Sequence, residues 1–247
     1  MGGNMISVCI ATYNGANYIV EQLDSIISQI GDADEIVICD DRSSDETISI
    51  LAAYNDPRIR IHRNEINLGH VRNFEKAMTL AKGDYIFLSD QDDVWLPGRV
   101  QSMLAKLNED PSVSLVASNF DLIDAQGQKM GEYRLLGATK ATRLAQISSI
   151  FMGRAPYFGC TFLLRRELLQ SCLPIPKGIE SHDIWFALVA SSISSVLNLR
   201  TPTLLHRIHG KNVTVEKRRA LHVVLRSRAR FLWALALRLI SLKLKLA

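Results

Sequence analysis

Short apolar runs alternate with amphipathic segments of helical period through the first 119 residues, and that alternation narrows the fold more than any other feature of the chain. "ISVCIA" (6–11), "EIVICD" (35–40), "RIRIHR" (58–63), "DYIFLSD" (84–90) and "SVSLVASN" (112–119) read as strands. Between them, "NYIVEQLDSIISQI" places Ile19, Leu23, Ile26, Ile27 and Ile30 on one helical face. "SSDETISILAAY" follows with Ser43 or Ser44 as its N-cap, "VRNFEKAMTLAKG" is a helix stopped by Gly83, and "PGRVQSMLAKLNED" is one opened by Pro97. Strands alternating with helices of this length imply βαβ units, hence an α/β protein with a mostly parallel sheet flanked by helices on both faces.

In such a sheet the ligand crevice lies beyond the C-terminal strand ends. The residues there are small, polar or acidic: "TYNG" after the first strand, "DDRSSD" after the second, "NEINLGHVRN" after the third and "SDQDD" after the fourth. All four are expected to face one site. The first strand is not followed by a G-x-G-x-x-G fingerprint, and no Walker-type loop ends in Gly-Lys-Ser/Thr, so neither a dinucleotide cofactor nor ATP hydrolysis by that route is expected.

The second half is less regular. "DAQGQ" (124–128) reads as a turn, residues 130–155 are ambiguous between lid and core, and "YFGCTFLLRRELL" (157–169) is a strand running into a helix. "SVLNL" and "TPTLLHRIHG" read as two strands separated by a turn. With 247 residues and 47% hydrophobic side chains the chain can bury a sizeable core. The N-terminal "MGGN" lacks the basic-then-apolar pattern of a signal peptide, and "FLWALALRLISL" is about half a bilayer span and carries Arg238, so no spanning helix is expected. Cys9, Cys39, Cys160 and Cys172 form no C-x-x-C pair and read as buried free thiols of a reducing compartment. No His/Cys set has zinc-site spacing, and His62, His70 and His222 have no partner visible in the sequence. Trp95, Trp185 and Phe186 read as packing residues or as walls of an acceptor cleft.

The segments "VCIATYNG", "IVICDDRSSDET", "GDYIFLSDQDDVWLPGRV" and "HDIWFALVA" resemble, in order and spacing, the family 2 glycosyltransferases of the GT-A fold, over about residues 5–215. The resemblance implies a GT-A, Rossmann-like sheet with a nucleotide-sugar-binding half (1–119) and an acceptor-binding half (120–215), followed by a basic amphipathic helix (216–247). It also implies sugar transfer from a nucleotide diphosphate donor.

Thr12, Tyr13 and Asn14 look like nucleobase contacts, and Asp41 is similar to the carboxylate that accepts the N3–H of uracil or thymine, with Asp40 ordering its loop. Asn67, Gly69 and Asn73, at the third strand end, join the same nucleotide-sugar site. Asp90 and Asp92 form the D-x-D pair, suited to Mg²⁺ or Mn²⁺ as hard-oxygen ligands. Asp92 is the implied direct metal ligand, Asp90 its ribose- or water-side companion, and Asp93 a loop residue. Asp183 stands where the family carries its general base, with Glu180 as the alternative. Here it follows His182 where many relatives have Glu-Asp. In "HRIHGKNVT" the resemblance implies that Arg207, His209 and Lys211 close over the diphosphate, although a basic surface loop would have the same composition.

From Lys217 onward there are nine Lys or Arg and no acid, which leaves 20 basic against 25 acidic residues, a net of −5, in the remainder. Arg219, Arg226 and Arg230 share one helical face. Such a helix is expected to lie on an anionic membrane, to pack on the domain or to pair with a second chain. The expected location is therefore cytoplasmic, at the inner face of the plasma membrane. A nucleic-acid partner is not expected, because net positive charge is confined to the tail and the body is mildly acidic.

The wording "SDQDDVW", "HDIWFALVA" and "RIHGKNVT" is similar to rhamnosyltransferase-type enzymes of surface polysaccharide assembly (O-antigen or capsule), which points to dTDP-rhamnose, with UDP-sugars still open. Two other readings stand beside this one. A sugar-1-phosphate nucleotidylyltransferase would call for a Gly-rich, basic N-terminal loop, and "IATYNGANYI" has no basic residue. A catalytically silent protein recruited to membranes by its tail would have no use for Asp41, Asp92 and Asp183.

Overall fold

The computed structural model describes residues 4–133, 142–210, 212 and 220–246. Lys211 and Arg219 lie outside them, as do residues 134–141 of the ambiguous 130–155 segment. The N-terminal half follows the expected alternation: β1 (Ile6–Thr12), α1 (Ile19–Ile27), β2 (Glu35–Asp40), α2 (Thr47–Ala53), β3 (Ile59–Arg63), α3 (His70–Leu80) and β4 (Tyr85–Asp90). A two-residue strand β5 (Val94–Trp95) precedes α4 (Arg99–Asn108) and the long β6 (Val113–Ile123). Then come β7 (Lys129–Tyr133), α5 (Arg143–Phe151), β8 (Phe162–Arg165), α6 (Arg166–Cys172), α7 (His182–Ile193), β9 (Ser195–Arg207) and α8 (Leu221–Leu246).

These strands form one sheet in the order β3-β2-β1-β4-β8-β6-β9-β5, with β7 paired to the C-terminal part of β6, on the side that β8 pairs further back. The first four are parallel, as is the β6/β9 pair. β8 inserts antiparallel between β4 and β6, and β5 and β7 are also antiparallel, so the parallel character is that of the first half. β1 and β2 are buried almost throughout, as strands covered on both faces must be. Alternate residues serve opposite cores. Cys9, Val37 and Leu88 face the core completed by α3, α6 and α7. Val8, Ile10 and Ile38 face that of α1 and α4. Trp95, Trp185 and Phe186 are all core residues. Trp185 donates from Nε1 to the Cys172 carbonyl at 2.9 Å. All four cysteines are buried and unpaired.

Four local expectations change. Ser43 and Ser44 do not cap α2: the Ser43 side chain bonds to Asp40 and accepts from the Asn14 amide, while the Ser44 amide donates to the Asn14 side chain. Their polar groups are spent tying two strand-end loops together. α4 starts two residues after Pro97, beyond a left-handed Gly98. "SVLNL" and "TPTLLHR" are one strand, β9, because its irregular pairing around Asn119 absorbs Arg200 and Thr201. The Asn119 side chain bonds to the Arg200 carbonyl at 2.6 Å. α3 ends at Leu80, before Gly83.

Gly83 instead lets the chain enter β4 against β1: a Cβ there would lie 2.6 Å from the Ser7 amide nitrogen and 2.7 Å from the Met5 carbonyl oxygen. Both obstacles are backbone and cannot swing aside. Gly83→Ala is expected to lower unfolding free energy by about 1–3 kcal/mol in urea titrations. Gly131→Ala, with open space around its Cβ position, is expected to stay within about 0.5 kcal/mol of wild type. Equal stability of the two variants would refute the close-approach account.

Candidate active site

The β1 and β2 ends are joined by hydrogen bonds that their residue types make possible. Thr12 is buried and donates from Oγ1 to Asp40 at 3.1 Å. The Asp41 amide donates to the Thr12 carbonyl at 2.8 Å. Asn14 and Arg42 both have positive φ, 52° and 65°, a conformation Asn accepts more readily than Arg. Both loops therefore hold backbone where the sheet meets the crevice. Gln91 fastens the β1 loop to the acidic loop, accepting from the Tyr13 amide at 2.8 Å and donating to its carbonyl at 3.1 Å. The Tyr13 side chain is left half exposed above the crevice.

Asp41 is 3% exposed. Its carboxylate accepts from the Leu68 amide at 2.7 Å, the Gly69 amide at 2.8 Å and the Asn64 side chain at 2.9 Å. A carboxylate has about four lone-pair positions, so one is left for an N–H donor. Asn67 donates to the Asp41 carbonyl at 3.1 Å, and Gly69 takes the positive φ that opens α3. Asn73 lies behind this layer rather than in the crevice. It is buried, donates to the Cys39 carbonyl at 2.7 Å and accepts from Asn64 at 2.9 Å. Asn64, held by Lys76 at 2.7 Å, is a bracing residue that the strand-end pattern alone did not single out.

The acidic loop meets the end of β9. Pairing of β5 with β9 sets Val94 opposite Leu205, which lays Asp92 and Asp93 beside His206–His209. Asp92 Oδ2 is 2.8 Å from His209 Nε2. Asp93, read from sequence as a loop residue, is 1% exposed. It sits 2.8 Å from His206 Nδ1, accepts from the Arg207 amide at 3.2 Å, and has no hydrogen-bond partner at Oδ2. Burial and the charges of Asp93 and Asp92 push the Asp90 carboxyl well above the ordinary carboxylate range, and Asp183 adds to the push. Burial and Asp93 raise Asp92 as well, against the pull of His209. Burial works against the charged form of His206, but Asp93 beside it overrides this and pushes the imidazole up to about 9.

One donor set results among the described residues. Asp90, Asp93, Cys160 and His206 have ligand atoms within 4.8 Å of one another, a proximity that residue spacing could not reveal. Burial and the neighbouring Asp93 and Asp90 push the Cys160 thiol well up, which keeps it protonated and a poor ligand. Asp92, 2.8 Å from His209 Nε2, lies beside this set. The carboxylate oxygens and crowded negative charge of Asp90, Asp92 and Asp93 fit a hard divalent cation such as Mg²⁺ or Mn²⁺.

Arg207 is not in the crevice. It is 2% exposed, donates from Nε to the Asp92 carbonyl at 2.9 Å, pairs with Glu21 at 2.6 Å and lies over the Tyr18 ring at 4.8 Å. Its donors brace the acidic loop. Tyr18 also stacks on His209, centroids 5.0 Å apart. Neither Tyr18 nor Glu21 carried a sequence signal beyond its place in the first helix. Asp183 opens α7, where Ser181 supplies the cap by accepting from the Ile184 amide at 3.2 Å, so Asp183 is not needed for capping. Glu180, the other acid proposed as base, turns to α8, 3.5 Å from Ser227 and 3.7 Å from Arg230.

An uncharacterized glycosyltransferase of Rickettsia prowazekii is 26% identical to this chain, covering 85% of the chain and 66% of the relative. A Mycobacterium tuberculosis protein is 43% identical over 45% of the chain and 34% of the relative. The succinoglycan biosynthesis protein ExoO of Rhizobium meliloti is 28% identical over 58% of the chain and 40% of the relative. The chain thus spans 34–66% of the length of these relatives. Among solved structures, S. aureus TarS 1–349 in complex with UDP-GlcNAc superposes with a TM-score of 0.74 at 21% identity, over 92% of this chain and 66% of that one. This likeness shows the fold, GT-A. Residues 7–173, well over half of the chain, match the model of glycosyl transferase family 2, and the chain belongs to that family.

Proposed function

We propose that this protein is an inverting, divalent-metal-dependent glycosyltransferase. It would move a sugar from a nucleotide diphosphate donor, dTDP-rhamnose or a UDP-sugar, to a saccharide or lipid-linked glycan in cell-surface polysaccharide (O-antigen or capsule) synthesis. Residues 1–119 would bind the donor and 120–215 the acceptor. The observation that carries the reading is the acidic loop: Asp92 beside His209, with Asp90 close enough to Asp183 for the two charges to interact. This supports a metal-ligand set and a carboxylate base facing one crevice. The UDP-GlcNAc complex of TarS supports a nucleotide-sugar donor, and the succinoglycan role of ExoO a polysaccharide product.

In this reading Asp41 takes the N3–H of the base through its remaining lone pair, and Tyr13 lies against the base. Asp92, His209 and Asp90 would hold Mg²⁺ or Mn²⁺, which when bound stabilises the charge that develops on the diphosphate. Asp183 accepts the acceptor hydroxyl proton. The acceptor oxygen bonds to the anomeric carbon as the carbon–phosphate-oxygen bond breaks, and the electron pair leaves on the nucleoside diphosphate.

In thermal-shift assays, UDP- or dTDP-sugars with Mn²⁺ or Mg²⁺ are expected to stabilise the protein, and EDTA or Asp92→Asn to remove most of that gain. Indifference to every sugar with either metal would overturn the reading. Asp183→Asn is expected to keep donor stabilisation and to lower transfer by about 10²–10⁴-fold. Transfer at the wild-type rate would remove Asp183 as base.

The C-terminal helix supports a peripheral membrane location, at the inner face of the plasma membrane. Among the described residues no helix is long and apolar enough to cross a membrane. α8 packs Phe231, Ala234 and Leu235 on the domain and exposes Leu225, Leu232, Trp233, Ile240 and Leu244 on the other side, beside Arg226 and Lys243. Trp233 is 70% exposed whereas Trp95 and Trp185 are buried, so fluorescence reports on this face. Vesicles rich in phosphatidylglycerol are expected to shift Trp emission to the blue, and Trp233→Phe to abolish the shift. Arg226→Gln with Lys243→Gln is expected to weaken partitioning on the order of tenfold or more. An unchanged spectrum on adding anionic vesicles would exclude docking by this face.

A further inference from the structure

His182 stands out among the buried polar groups. It is 5% exposed, and neither ring nitrogen has a hydrogen-bond partner. Buried imidazoles are ordinarily bonded, because an orphaned polar atom costs stability. The ring packs on Phe74 of α3, centroids 4.4 Å apart, with His70 at 6.3 Å. A phenylalanine would fill such a slot without orphan nitrogens. The opposite wall is Gly159, where a Cβ would lie 2.5 Å from His182 Nε2. The slot therefore fixes the ring through contacts on two sides and leaves no room at residue 159 for a side chain.

One polar group lies within reach of the ring: Nε2 is 3.2 Å from Asp183 Oδ1. The two are close enough to bond but lack the alignment of a hydrogen bond. Catalytic hydrogen bonds often tighten only when the substrate is bound. Burial holds the imidazole below its ordinary proton affinity, with His70 adding to the effect and Asp183 opposing it. The ring is therefore neutral, with one N–H to give.

We propose that His182 is the positioning residue for Asp183. Its Nε2–H donates to Oδ1, so that Oδ2 is turned to the acceptor hydroxyl. This rests on Asp183 being the general base, and it completes the usual arrangement in which a base is itself oriented by a third group. His182 touches no reacting atom and acts through the carboxylate alone.

The test uses the whole chain with Mn²⁺ and the hydrolysis of UDP-glucose, UDP-N-acetylglucosamine and dTDP-rhamnose, with water in the place of the acceptor. His182→Phe is expected to lower kcat on the order of 10²-fold, the loss typical of a misplaced group. Donor KM and donor-induced thermal stabilisation should stay within about twofold, because the donor contacts lie on other loops. His182→Gln, which keeps an N–H, is expected to recover most of the rate, and Gly159→Ala, which displaces the ring, to lose rate as His182→Phe does.

Proton NMR of the ¹⁵N-histidine-labelled protein is the second measurement, and it requires no turnover. With donor bound, the His182 Nε2–H is expected to give a downfield, slowly exchanging line that Asp183→Ala removes. A folded His182→Phe with wild-type kcat, or a line unmoved by Asp183→Ala, overturns the proposal. If no sugar is hydrolysed or bound by the wild type, it is the glycosyl-transfer reading that fails, and the proposal, which rests on it, falls with it.

Discussion

Three carboxylates within four residues, at the end of a buried strand, cannot stand together without partners, and the structure brings those partners from the far end of the sheet. Asp93 meets His206, Asp92 meets His209, and the Asp92 carbonyl meets Arg207. All of these come from one strand end more than a hundred residues away in sequence. The two-residue strand β5 has little stability of its own. Its pairing with β9 sets the register that brings each histidine to its acid. Removing either partner of so buried a pair would strand a charge, so the junction adds a polar tie between the two halves of the chain to that of the shared sheet.

This dependence also explains which parts of the fold were legible. β1, β2 and β4 read directly from sequence because strands covered on both faces are almost uniformly apolar. β5 has two residues and no period to read. β8, "FLLR", is as apolar as a parallel core strand, and nothing in its composition says that it runs antiparallel between β4 and β6. Gly83 was legible as punctuation but not as a point of close approach, since the backbone it admits belongs to β1, far away in sequence.

At the site, residue types were more legible than their targets. Asp41 is the strand-end acid that the pattern singles out, but its carboxylate also organises the β3 loop through the Leu68 and Gly69 amides. Asn73 and Arg207 carry the chemistry of ligand-binding groups and spend it on backbone carbonyls and Glu21. A polar residue near a strand end either faces the ligand or holds the loop that does, and both roles select the same side chains. Tyr18, Glu21, Asn64 and Gln91 belong to the second kind. Their roles depend on contacts across elements, which no local pattern records.

The two sides of the crevice differ in how their acids are held. On the β1–β4 side most carboxylates are already engaged: Asp40 by Thr12 and Ser43, Asp41 by amides, Asp92 and Asp93 by histidines. Carboxylates whose oxygens already accept hydrogen bonds or pair with an imidazole have fewer lone pairs open to an acceptor hydroxyl. Asp183 is on the other side, at a helix start already capped by Ser181. Glu180 beside it is drawn away toward Ser227 and Arg230 of α8. α8 holds the same region a second time through Arg238, which donates to the carbonyls of Ser171 and Leu173. The helix with the exposed apolar and basic face thus also buttresses the segment leading to Asp183.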